Sequence, residues 1–81
     1  MAKVEQNLRR MWTDAYRFFE KYHGQPPTEE VLEACSEEIR TLFTAHGEHP
    51  MMTELLFAAW GELDREWAEY VREQEKVNGA A

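Results

Sequence analysis

The sequence predicts an all-α protein, an up-down-up bundle of three helices with a long third helix. Three observations lead there. Apolar residues recur at spacings of three and four, the repeat of a helix with one buried face. No alternating apolar and polar stretch is long enough for a useful strand. The phrase His-Gly-x-x-Pro occurs twice, at His23 to Pro27 and His46 to Pro50, where a helix should stop and another begin. Connections this short predict antiparallel neighbours within a single domain over 1–81.

The first helix is expected over about 3–23. Val4, Leu8, Met11, Trp12, Ala15, Phe19 and Tyr22 form its apolar stripe. Gly24 suits the left-handed position after a helix, and Pro26 and Pro27 prevent continuation. On this reading Trp12 is core, and Trp12→Ala should cost about 3–5 kcal/mol, enough to unfold so small a chain. The second helix is expected over about 28–46. The Thr28 hydroxyl can cap its first amides, and Glu29 and Glu30 favour the positive end of its dipole. Val31, Leu32, Cys35, Ile39, Leu42, Phe43 and His46 share a face, and Gly47 is the stop.

The third helix is expected over about 50–77, opened by Pro50 and closed by Asn78-Gly79. Met52, Leu56, Ala59, Trp60, Leu63, Trp67, Tyr70, Val71 and Val77 make its stripe. Its last two turns should overhang the bundle, with Trp67, Tyr70 and Val71 near the overhang. Exposed, these residues form a patch for another chain; alternatively, the first helix is long enough to cover them. Gly61 lies off the stripe and marks a slight bend or a close approach by another helix. Phe57, one turn earlier, would serve as a knob beside that flat spot. A core stripe broad enough for packing on two sides would account for Phe57 equally.

Composition narrows the function. Of 81 residues, 43% are apolar and 31% charged, a globular mixture rather than a disordered one. A net charge of -7 disfavours direct contact with nucleic acid or an anionic membrane, and attracts a basic protein surface. No stretch approaches a membrane span. The single cysteine, Cys35, and the lack of an apolar leader point to the cytoplasm. The first helix is basic on balance and carries Arg9, Arg10, Arg17 and Lys21, whereas the other two are acidic, so helix-turn-helix DNA binding is not expected.

The histidines raise a metal site or an acid/base pair. Zinc needs at least three ligands in tetrahedral reach. His23 and His46 should stand at opposite ends of the second helix, roughly 27 Å apart. Cys35 lies midway on a buried stripe, where its thiol should be hard to ionise. The histidines therefore read as helix punctuation, His46 partly buried and His49 capping the third helix. No serine motif, phosphate loop or nucleotide fingerprint occurs. The chain is expected to be no enzyme, with no catalytic residue, metal or cofactor. A small metal enzyme built on His46 and His49 is the third reading weighed.

Two glutamate ridges remain. Glu30, Glu33 and Glu37 share a face of the second helix, and Glu62, Glu66, Glu69 and Glu73 share a face of the third. They form either a solvated surface or an acidic surface aimed at a basic groove. The candidate partner-binding residues are thus Phe57, Trp67 and Tyr70 together with these two ridges. The expected partners are another protein with a basic surface and a second copy of the chain.

The stretches MWTDAYRFFEKYHG and HPMMTELLFAAWGELDREW resemble small helical proteins of bacterial phages and mobile elements. That resemblance implies a short accessory protein that binds and blocks a host protein, including host defence nucleases. It implies no catalytic residues. The leading expectation is a non-enzymatic protein-interaction module; the runner-up is an acidic inhibitor that mimics nucleic acid.

Overall fold

The computed structural model describes the backbone of residues 2–80 and the side chains of 7–77. It is a three-helix bundle: α1 (Ala2–Tyr22), α2 (Glu29–Ala45) and α3 (Pro50–Ala80). No strand occurs among the described residues. The side chain of Val4, placed on the first stripe by its spacing, lies outside them.

Each turn is closed as its residues allow. The Thr28 hydroxyl accepts from the Val31 amide at 3.1 Å, and Thr28 itself is extended, with φ -76° and ψ 160°. The other end of α2 closes with a paired cap. The Glu48 amide donates to the Phe43 carbonyl at 2.9 Å and the Gly47 amide to the Thr44 carbonyl at 3.0 Å. Gly47 has φ 65° and Gly24 φ 83°, the left-handed region glycine enters without steric cost. His49 Nδ1 accepts from the Met51 amide at 3.0 Å, which caps α3. Thr28→Ala should cost about 1 kcal/mol through loss of its cap. A urea titration reads it, and an unchanged midpoint would show that the hydroxyl contributes nothing.

α3 does not stop at Asn78-Gly79 but continues to Ala80. A glycine ends a helix where the chain must turn; elsewhere it costs only about 1 kcal/mol relative to alanine. At 31 residues α3 is about 46 Å long, against about 31 Å for the 21 residues of α1 and about 25 Å for the 17 of α2. The molecule is accordingly a rod, 60 × 18 × 17 Å.

The core is chiefly a seam between α1 and α3. Met11, Ala15, Phe18 and Tyr22 come from α1, and Met52, Leu56, Leu63 and Trp67 from α3. α2 contributes one fully buried residue, Cys35, while its Val31, Ile39, Leu42 and Phe43 are half-buried. The stripe expected on α1 is rotated. Trp12 is 59% exposed and Phe18 only 1%. Spacings of four, three and four from Met11 to Tyr22 pass through Ala15 and Phe18, and Trp12 sits about 100° away around the helix. Ala15 keeps the seam narrow, and a bulky Trp12 is left on its flank. Trp12→Ala is therefore no longer expected to unfold the chain.

Candidate functional site

Both histidine turns hold their imidazoles against a carboxylate of another helix. His23 Nδ1 lies 2.6 Å from Glu66 Oε2, and the Gly24 amide donates to the same carboxylate at 3.4 Å. His46 Nε2 lies 2.7 Å from Asp14 Oδ2. The first pair joins the α1–α2 turn to α3, and the second joins the α2–α3 turn to α1. Beside the first pair, Trp67 is buried under the α1–α2 turn. Its indole Nε1 donates to the Gln25 carbonyl at 3.0 Å, and its ring meets Trp60 edge-on at 5.6 Å.

A cavity of about 550 Å³ opens at the far end, beside the second pair. Asp14, His46 and His49 line it together with Arg10 and Asn7. The fold thus brings His46 and His49 to one cavity and adds a carboxylate from α1. One nitrogen of each imidazole is already engaged, however. His46 Nε2 faces Asp14, and His49 Nδ1 accepts the Met51 amide. One Glu-x-x-His phrase of the sort used by di-metal carboxylate centres, Glu20 to His23, stands at the end of α1. Among the described residues, no group of three or more His, Cys, Asp or Glu side chains could hold a metal ion.

Cys35 is fully buried at the centre of the bundle. Burial first, and then the Glu38 carboxylate, push its thiol from 9.0 up to about 11. A thiol so placed is a small hydrophobe and not a nucleophile. Glu38 also gathers two donors from α1. Lys21 Nζ reaches Glu38 Oε1 at 2.8 Å and the Tyr22 hydroxyl donates to the same oxygen at 3.1 Å. The hydrogen bond to Glu38 raises the Lys21 pKa; burial, and then the bond to Glu38, raise that of Tyr22. This cluster fastens α1 to α2, and residue spacing alone gave no sign of it, because Glu38 lies off the ridge of Glu30, Glu33 and Glu37.

The structure separates the candidate partner residues. Trp67 is inside, so it offers no surface to another chain. Tyr70, Val71 and Val77 are exposed on a run of α3 that begins after Trp67 and extends past the α1–α2 turn. This overhang covers 68–80, longer than the two turns expected. Phe57 is exposed elsewhere, on the rim of an open apolar groove between α2 and α3. The glutamate ridges do not act as units. Glu66 is half-buried and holds the α1–α2 turn. Glu62 pairs with Arg65 at 2.8 Å, and Glu37 with Arg40 at 3.3 Å. Glu30, Glu33, Glu69 and Glu73 are exposed. Two exposed aromatic residues one turn apart on α1, Trp12 and Tyr16, belong to none of the expected surfaces. The unexpected burial of Phe18 is what turns them outward.

The chain matches no protein family, no curated protein and no solved structure. Among the described residues, no helix is long and apolar enough to cross a membrane.

Proposed function

We propose that the protein is a non-enzymatic interaction module that binds another protein through the overhang of α3. The observation behind the reading is that the apolar stripe outlasts the bundle. It passes from Leu63 and Trp67, which are buried, to Tyr70, Val71 and Val77, which are exposed. Glu69 and Glu73 run beside this strip at helical spacing. A partner suited to it has an apolar contact rimmed by lysine or arginine. Apolar burial would supply affinity, and the charges would supply encounter rate and register.

The test is capture of partners from a lysate of the source cells, with wild-type chain and with Tyr70→Asp/Val77→Asp as bait. Both residues lie outside the core, so the variant should keep the wild-type melting temperature. A partner of the overhang should be retained at least tenfold less by the variant. Equal retention by both baits would sink the reading.

The alternative is an acidic inhibitor that blocks the basic groove of a host defence nuclease. The exposed Glu30 and Glu33 on α2 favour it. Its complex should weaken steeply as salt rises through the physiological range, because exposed charges are screened over about 8 Å there. A complex built on Tyr70 and Val77 should persist.

A further inference from the structure

The surface of α3 turned away from the core carries Glu54, Ala58, Gly61 and Arg65, at spacings of four, three and four. All four are exposed. Gly61 is the anomalous member. It stands in a helix interior, where alanine would be favoured. Its backbone is helical, and a Cβ added there would meet nothing within 4 Å. Among the described residues, no group fills the space that a side chain would take. Four residues earlier, Phe57 is 71% exposed, the most exposed of the large apolar side chains among the described residues. It stands beside the groove between α2 and α3, about 480 Å³ in volume and lined by Ile39, Phe43, Leu56 and Trp60.

The charges on this strip fit the strip itself run in reverse. A two-fold axis through the midpoint of Ala58 and Gly61 sets α3 antiparallel to α3 of a second copy. Glu54 then faces Arg65 of the second copy, and Arg65 faces its Glu54, as an isologous contact requires. Ala58 meets Gly61, so the two backbones can approach closely. Phe57 lies over the flat left by Gly61 of the second copy, next to the apolar groove. Within one chain Arg65 pairs with Glu62, an exposed i,i+3 pair that is easily exchanged.

We infer that two copies of the chain pair through this face, α3 against α3, crossing at Ala58 and Gly61 with Phe57 buried between them. The surface is distinct from the overhang, and the pairing leaves both overhangs free at opposite ends. The inference therefore stands or falls separately from the proposed function.

Sedimentation velocity on the full chain, from about 5 μM to about 1 mM, spans the range in which mass action would populate a modest dimer. The mass should rise from one chain to two. Gly61→Leu should hold it at one chain while raising the melting temperature of the dilute protein, since leucine favours the helix and meets open space. Glu54→Arg should weaken pairing about tenfold or more by setting arginine against Arg65, and Arg65→Glu should do the same with the signs reversed. The double swap Glu54→Arg/Arg65→Glu should restore pairing to within about threefold of wild type. A single-chain mass throughout would overturn the inference. So would a dimer indifferent to Gly61→Leu, or one that the double swap fails to restore.

Discussion

Phe18→Ala should destabilise the protein by about 3–5 kcal/mol, the range for emptying a fully buried aromatic site. Phe18 is 1% exposed, sits at the centre of the α1–α3 seam, and stacks at a tilt on Tyr22 with ring centroids 5.4 Å apart. Deleting the ring removes apolar burial, leaves a cavity between two helices and loosens Tyr22. A small domain has little reserve against such a loss, so the variant should be largely unfolded at 37 °C. Trp12→Ala is the matched control: a larger side chain on the same helix, expected to cost less than about 1 kcal/mol as a surface change. Chemical denaturation of both variants decides the matter. Equal losses, or a larger loss for Trp12→Ala, would refute the assignment of the seam.

The second large effect is a fall in stability at alkaline pH. The Cys35 thiol is raised from 9.0 to about 11 in the folded chain, by burial and then by Glu38. Below pH 9 the thiol is protonated in both states, and stability does not depend on it. Between pH 9 and about 11 the unfolded chain gives up a proton that the folded chain retains. The unfolded state then gains, and stability declines as pH rises, by about 1.4 kcal/mol per pH unit. The full loss is on the order of 2–3 kcal/mol by pH 11. Tyr22 shifts in the same direction and adds to the decline. Urea titrations at pH 8, 9.5 and 10.5 measure the slope. Cys35→Ala should be less stable at pH 8, since it deletes a buried group, yet should lose less on going to pH 10.5. A wild-type slope no steeper than that of Cys35→Ala would show that the thiol ionises as freely in the folded chain as in the unfolded one.

Much of the fold was legible because it rests on local chemistry. Thr28 caps, Gly24 and Gly47 turn, and the prolines prevent continuation; each acts within a few residues of itself. The helix bounds follow from these signals to within a residue or two, except at Asn78-Gly79, where no turn was needed. The burial of Cys35 was also legible, since a position at the middle of a stripe is buried in any packing of the bundle. His49 could be read as a cap for the same local reason.

Rotation and length of contact could not be read in this way. Met11 and Trp12 are adjacent, and either could lead a helical stripe. Which one did depended on α3 docking against Ala15 and Phe18, a choice made between two helices. Trp67 posed the same difficulty. Its spacing placed it on the apolar face of α3, but its burial depended on where the α1–α2 turn falls, since its indole donates to the Gln25 carbonyl there. The glutamates show it again. Glu62, Glu66, Glu69 and Glu73 are equivalent by spacing, yet Glu66 alone is taken up by His23, because that turn ends beside it.

The sequence by itself therefore determined three helices, their turns, the acidic balance and a third helix too long for the others. These depend on propensity, capping and composition, which each segment carries alone. Only the tertiary structure decided that Phe18 and not Trp12 fills the seam, that Trp67 is inside, and that Phe57, Gly61 and Tyr70 are left on the surface. Those outcomes depend on how far one helix is rotated against another and where the shorter helix ends. Small sums of packing energy over the whole bundle set both.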